Sequence, residues 1–316
     1  MQNLSAIRTA VILAFLSCVG ALPAHQARDT SPLYPNIADT SHASATLVNF
    51  LNGFFTTKSL HNIDGWASYF APSGDVYFDA IIGFGVDKAN IPSAFSQFLS
   101  QGKPDGRSYP LTIIGDMNSA VVFGEDTPDM FGFETRTIAA VDFKDGRVAR
   151  WVDYWDGRHD GLIALKSPSD EFLKTFGESN ITRTPNPVIQ NVTSQLNDAL
   201  STGNSFAAAS LFSFDAVFED RTTQTRIEGR NSIQQYFSRA LASVPYGNGT
   251  TVRHVVGSSR GGAYEWIGSL TSPTQNGISG FKLDSNGSIT ILSTVWDSSQ
   301  VNNSTMEMLI QLAVQL

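Results

Sequence analysis

The sequence predicts an α+β chain built from two tandem copies of one small domain, each with N-terminal helices followed by a run of antiparallel strands. Two observations predict it. First, related segments recur at one spacing. Phe70–Asp79 resembles Leu211–Asp220, Tyr154-Trp155-Asp156 resembles Val295-Trp296-Asp297, and Gly146 answers Gly287, the aligned residues lying 141 apart in each case. One constant offset at three separate places marks an internal duplication. Second, each copy opens with helical periodicity and continues as a run of alternating segments, the order of an α+β domain.

In the first copy, Leu47, Val48, Leu51, Phe54 and Phe55 fall at helical spacing across Ala45–Thr57. A second helix is expected over Ile63–Phe70, a strand over Asp75–Asp79, and a third helix over Ile91–Leu99 with Phe95 and Phe98 inward. Strands are then expected at Leu111–Ile114, Ala120–Phe123, Phe133–Phe143 and Val148–Trp155, with Lys144-Asp145-Gly146-Arg147 as a hairpin turn. The second copy repeats this: helices Val188–Leu200 and Phe206–Leu211, strand Val217–Asp220, helix Ser232–Leu241, then strands to the end. The copies occupy residues 41–160 and 188–316. Residues 161–187 read as a linker, with a short helix over Leu162–Phe176 and a stiff Thr182–Pro187 segment. Residues 22–40, which hold Pro32 and Pro35 without periodicity, read as extended or disordered.

Residues 1–21 read as a secretory signal peptide: Arg8 precedes an uncharged run from Ala10 that ends in small residues at Val19 and Ala21. That run is short for a bilayer span. The expected location is therefore outside the cell or in the lumen of the secretory pathway. Asn180, Asn191, Asn248, Asn286, Asn302 and Asn303 each begin an Asn-x-Ser/Thr glycosylation acceptor. The single cysteine, Cys18, lies within the signal segment, so no disulfide or thiolate chemistry is expected of the mature chain. The net charge of −8 and the absence of basic runs argue against nucleic acid and anionic membranes as partners.

Phe212-Ser213-Phe214-Asp215-Ala216-Val217-Phe218-Glu219-Asp220, followed by Ile227-Glu228-Gly229-Arg230-Asn231-Ser232-Ile233-Gln234-Gln235-Tyr236-Phe237, resembles the ketosteroid-isomerase and polyketide-cyclase branch of the nuclear transport factor two-like superfamily. The resemblance implies that each copy folds as a curved antiparallel sheet wrapped by its N-terminal helices into a cone, with a pocket inside. It also implies that Asp220, and by the repeat Asp79, is the general base that moves a proton beside a carbonyl, its pKa raised by an apolar surround. The oxyanion donors of that family, a tyrosine and a second acid, fall on Leu196 and about Ser279 in the second copy and on about Asn52 and Ala139 in the first. Neither copy keeps the pair, which argues against steroid isomerisation itself.

The bland alternatives stand beside these readings. Asp79 and Asp220 serve equally well to close the turn after a strand. Arg136 is a candidate for orienting an anionic substrate or pairing with Asp79, or for a solvated face; Glu134 and Asp153 accompany it as polar candidates. Trp66 and Tyr77 are candidate pocket donors or plain core. His254 is an acid/base candidate or an exposed strand residue. No paired histidine spacing, Gly-rich phosphate loop or Gly-x-Ser-x-Gly elbow is present, so no metal, cofactor or serine nucleophile is expected. The leading reading is a cofactor-independent isomerase, dehydratase or cyclase acting on a small apolar metabolite, with the first copy active. A cyclase that joins anhydride or polyketide units is one form of it. The alternatives are a non-catalytic binding protein for an apolar ligand and an interaction protein whose copies pack sheet to sheet. That packing would imitate a homodimer, and assembly of whole chains is compatible with it.

Overall fold

The structure is a computed structural model that describes residues 33–72, 74–272 and 274–314. The signal segment expected at 1–21 lies outside the described residues, as do most of 22–40 and the side chain of Phe98.

Each copy starts with a capped helix. Ser44 accepts from the Leu47 amide at the start of α1 (Ala45–Ser59), and Asn62 accepts from the Gly65 amide at the start of α2 (Ile63–Ala67). These side chains satisfy amides that the first helical turn leaves unpaired. Strands β2 (Asp75–Asp79) and β3 (Phe84–Asp87) follow, then α3 (Ile91–Gln101). Next come β4 (Ser108–Gly115), β5 (Ser119–Asp126), a short α4 (Pro128–Phe131), β6 (Thr135–Lys144) and β7 (Arg147–Tyr154). A strand absent from the sequence reading, β1 (Asp39–Ala43), pairs with β4 and makes the sheet order β1-β4-β5-β6-β7-β2-β3.

The second copy reproduces the plan with α6 (Pro187–Ser201) and α7 (Ser205–Ser210), capped by Asn186 and Asn204. Then come β8 (Phe212–Asp220), β9 (Thr225–Glu228), α8 (Arg230–Ala240), β10 (Thr251–Ser258), β11 (Gly261–Ile267), β12 (Asn276–Leu283) and β13 (Ile289–Trp296). Its order, β10-β11-β12-β13-β8-β9, equals that of the first sheet without β1. The two sheets are mixed rather than wholly antiparallel, because β1 with β4, β2 with β7 and β8 with β13 run parallel. Alternation along a strand carries its faces but not its direction, so the sequence left this open. Two further expectations change. A helix follows β13, α9 (Asn303–Gln311), capped by Asn302 and buried through Met306 and Leu309. The helix read over Leu162–Phe176 shrinks to α5 (Asp160–Ile163), and Leu165, Phe172 and Leu173 instead pack as irregular chain against the core.

The β4–β5 and β10–β11 connections depend on glycine. Gly115 and Gly257 have φ of 130° and 128°, and a Cβ on either would lie 2.4 Å from a backbone oxygen of the next strand.

Both sheets bury both faces. Val122, Ala139 and Val141 face the helices of the first copy. Their neighbours Val121, Ile138 and Ala140 face the other way and meet Val256, Ala263, Ile278 and Val295 of the second sheet. The order of layers is therefore helices, sheet, sheet, helices, which explains the nearly continuous apolar stretch in β6.

Candidate functional site

The helix-covered interior of the first copy gathers four of the candidate residues. Tyr77 and Asp79 on β2 lie opposite Trp151 and Asp153 on β7 in the parallel register. The Tyr77 hydroxyl donates to Asp153 Oδ2 at 2.6 Å, and the Trp151 indole donates to Asp153 Oδ1 at 2.8 Å. From α1, Lys58 extends to Asp126 at 3.0 Å, with its ammonium 5.8 Å from the Trp66 ring centre. The Trp66 indole N–H is buried and has no hydrogen-bond partner. Lys58, Trp66, Tyr77, Asp126, Trp151 and Asp153, with Phe54, Ser108 and Val122, line a cavity of about 10 Å³, room for about one water; Asp79 lies outside its wall. Phe54 stacks on Trp151 at 4.7 Å and forms one wall.

Burial sets the electrostatics of this interior. It raises the Asp153 carboxyl above its usual range, opposed by Lys58 and by the bonds from Tyr77 and Trp151. It drives Asp79 up to about 7 against the bonds from Trp155 and Ile81, and the neighbouring Asp153 adds to the rise. Two carboxyl groups side by side in a dry interior resist ionising together. The Tyr77 phenol is held well above its ordinary value, chiefly by burial and by the charge of Asp153, so it remains a donor at neutral pH.

Asp79 and Asp220 make matching turn contacts, and Asp220 has a further hydrogen bond from Tyr246. Asp79 Oδ1 accepts from the Ile81 and Ile82 amides at 2.9 and 3.1 Å, and Oδ2 accepts from the Trp155 indole at 2.9 Å. Asp220 Oδ1 accepts from the Thr222 and Thr223 amides at 2.9 and 3.1 Å, and the Trp296 indole lies 3.2 Å from each of its oxygens. Each aspartate closes the turn after its strand and pins it to a tryptophan of the repeated Trp-Asp pair. Burial raises Asp220 too, opposed by Thr223, Trp296 and Thr222.

The rest of the second interior differs. Phe218 lies opposite Leu292 where the first copy has Tyr77 and Trp151, and Thr294 lies opposite Asp220 where the first has Asp153. Leu200 occupies the place of Lys58 along its capped helix, and Ala208 that of Trp66. Its polar groups are neutral: Tyr236 and Tyr246 share a 2.9 Å hydrogen bond, and the Trp266 indole donates to Ser279, which donates to Thr294.

The remaining candidates lie elsewhere. Glu134 and Arg136 sit at the wall of a cleft between the copies. Arg136 pairs with Glu134 at 2.8 Å and with Glu125, its direct neighbour across β5 and β6, at 3.5 Å, rather than with Asp79. His254 faces the sheet-to-sheet layer and bonds to Asp142 at 2.8 Å. Asp142 also takes Arg183 at 3.1 Å and Arg150 at 3.4 Å, while Arg150 reaches Glu265 at 2.7 Å. Burial works to raise Asp142, but His254, Arg150 and Arg183 prevail and hold it below the usual range. All six acceptor asparagines are exposed. Among the described residues no cluster of three or more His, Cys, Asp or Glu is placed to hold a metal ion, and no helix is long and apolar enough to cross a membrane. Lys58, Asp126 and the Arg150 network escaped the sequence reading. Lys58 alone left a signal, a charge continuing the apolar stripe of Leu51, Phe54 and Phe55.

No family model matches the chain, and no curated protein matches it. Among solved structures it is similar to several with nuclear transport factor two-like, SnoaL-like or ketosteroid-isomerase-like folds. A protein of unknown function from Burkholderia xenovorans is 21% identical over 35% of this chain and 83% of its own, with a TM-score of 0.29. A SnoaL-like protein of unknown function from Burkholderia thailandensis is 12% identical over 36% of this chain and 98% of its own, TM-score 0.31. A ketosteroid-isomerase-like hypothetical protein from Catenulispora acidiphila, solved with trimethylamine, is 17% identical over 37% of this chain and 90% of its own, TM-score 0.31.

Proposed function

We propose that the chain is a cofactor-independent acid/base enzyme of the isomerase, dehydratase or cyclase type, with its reaction centre inside the first copy and the second copy structural. One observation carries this reading. The polar set Lys58, Trp66, Tyr77, Trp151 and Asp153 surrounds the first cavity, while the same fold is built in the second copy with Leu200, Ala208, Phe218, Leu292 and Thr294. Buried polar groups cost stability unless fully paired. A set that the fold does not require, with one indole N–H left unpaired beside a void, is suited to a ligand.

In this reading Asp153 is the proton-transfer group, held by Tyr77 and Trp151. The Trp66 N–H and the Lys58 ammonium supply donors for an oxygen that gains charge. Asp79 keeps the turn, while burial, with a smaller contribution from the Asp126 charge, raises the Asp153 carboxyl above its usual range. The substrate is a small, mostly apolar metabolite with a carbonyl or related oxygen, of the kind that an anhydride- or polyketide-joining cyclase takes. The cavity holds about one water, so the substrate gains access only when side chains such as Phe54 and Trp66 move. We extend the proposal to a secreted glycoprotein, supported by the exposure of all six acceptor asparagines; expression through a eukaryotic secretory pathway, with a mass loss on endoglycosidase treatment, tests it.

Exchange of the α-protons of cyclohexanone in D2O, followed by NMR, tests the chemistry without knowledge of the substrate. The wild type should accelerate exchange over buffer, and Asp153→Asn should lower that acceleration about 100-fold or more. Asp220→Asn should stay within a few-fold of wild type. No acceleration by the wild type, or equal losses in both variants, would sink the proposal. Binding of cyclohexanone without exchange would favour the non-catalytic binding protein, which the small cavity also suits.

A further inference from the structure

We infer that the cleft between the two copies is a second site, one that binds a small carboxylate through Arg221. The cleft encloses about 550 Å³ and takes its walls from both copies: Glu134, Arg136 and His159 from the first, Glu219, Arg221 and Arg226 from the second. A volume of several hundred Å³ suits a small metabolite.

Three observations converge on Arg221. First, it has no ion pair among the described residues, and its buried Nη1 has no hydrogen-bond partner. Its guanidinium lies 5.1 Å from the Phe123 ring of the first copy, a contact that satisfies none of its five N–H donors. Second, the nearby arginines are already committed, while Asp156, which also lines the cleft, accepts from the Arg158 amide. Arg136 pairs with Glu134 and Glu125, and Arg226 pairs with Glu219 at 2.6 Å and with Glu228 at 3.0 Å. Glu219 also accepts from Ser293 at 2.8 Å. Third, the duplication supplies a control. The matching turn of the first copy, Ala80-Ile81-Ile82-Gly83, is apolar and covered by the chain's own Leu165, Phe172 and Leu173. In its counterpart, Arg221-Thr222-Thr223-Gln224, the two threonines are buried, but Arg221 and Gln224 line the open cleft.

A guanidinium with free donors, seated on a ring and flanked by paired arginines, is matched by a planar oxyanion that accepts two parallel hydrogen bonds. A carboxylate has that shape, and the ring beneath Arg221 suits the ligand's apolar body. This site is independent of the reaction centre proposed inside the first copy.

Calorimetric titration with succinate, and with neutral succinamide as the control, tests the inference. Succinate should bind one site per chain, weaken as salt rises, and lose at least tenfold in affinity in Arg221→Gln. Arg221→Lys should also lose affinity, since an ammonium cannot make the two parallel bonds. Cyclohexanone exchange should remain within about twofold of wild type in both variants, which separates this site from the first. No saturable binding of succinate, equal binding of succinamide, or unchanged affinity in Arg221→Gln would overturn the inference. Should Arg221→Gln fail to fold, shifts of the Arg221 side-chain NMR signal on adding succinate to the wild-type chain decide the matter, and their absence rejects it.

Discussion

The two copies share strand order, helix caps and the aspartate that closes the turn after β2 and β8, yet their interiors differ in kind. The first surrounds a small void with a lysine, three carboxyl groups, a phenol and an unpaired indole. The second fills the same places with leucine, phenylalanine, alanine and threonine. The difference separates what the fold needs from what it merely carries. Groups present in both copies, such as Asp79 with Trp155 and Asp220 with Trp296, are explained by the turn they lock. Groups present in one copy only need another explanation, and chemistry is the one proposed.

The largest effect should come from outside both interiors, in the layer where the sheets meet. Arg150→Met leaves Asp142 with fewer partners and Glu265 buried without its cation. It should cost about 3–5 kcal/mol in chemical denaturation, because an uncompensated buried charge is expensive. A loss below about 1 kcal/mol would mean that water reaches this layer.

Next, Asp79→Ala and Asp220→Ala should destabilise by similar amounts, about 2–4 kcal/mol each, since each frees two buried backbone amides and an indole. Measured by urea unfolding, a loss confined to one copy would break the claim that the two aspartates share a structural role.

A smaller, pH-dependent effect sharpens the contrast between interior and interface. The folded-state pKa of Asp79 is raised to about 7 from a usual 3.8. The folded chain therefore holds a proton that the unfolded chain releases, and stability falls as pH climbs from about 4 to about 7, by at most roughly 4 kcal/mol. Asp153 and Asp220 push the same way. Asp142, held low at the interface, and Glu178, held low by backbone hydrogen bonds and by Arg253 at 2.9 Å, push the other way and lose their contribution on acidification. Asp79→Asn should flatten the fall between pH 4 and 7; an unchanged slope would show that Asp79 is ionised throughout.

Much of this comparison was legible in the sequence. The 141-residue spacing aligned Asp79 with Asp220 and Trp155 with Trp296, and alternation located β2 and the strands from β4 to β7. What escaped has physical reasons. Strand β1 is short and polar, and its pairing with β4 is non-local. The final helix crowds Met306, Met308, Leu309 and Ile310 together although only Met306 and Leu309 are buried, so no clean helical period stands out. Tyr77 and Trp66 read equally well as core or as donors because only the pairing of β2 with β7 brings Asp153 beside Tyr77. The cleft at Arg221 depends on how the copies pack, which no spacing along either copy encodes.

The most direct test of the central claim is to give the first interior the residues of the second, with Tyr77→Phe and Asp153→Thr together, and to measure stability and cyclohexanone exchange on the same sample. The account predicts a chain that folds within about 2 kcal/mol of wild type or is more stable than it, with exchange reduced to the buffer rate. A chain that unfolds, or one that folds and still exchanges at the wild-type rate, would contradict it.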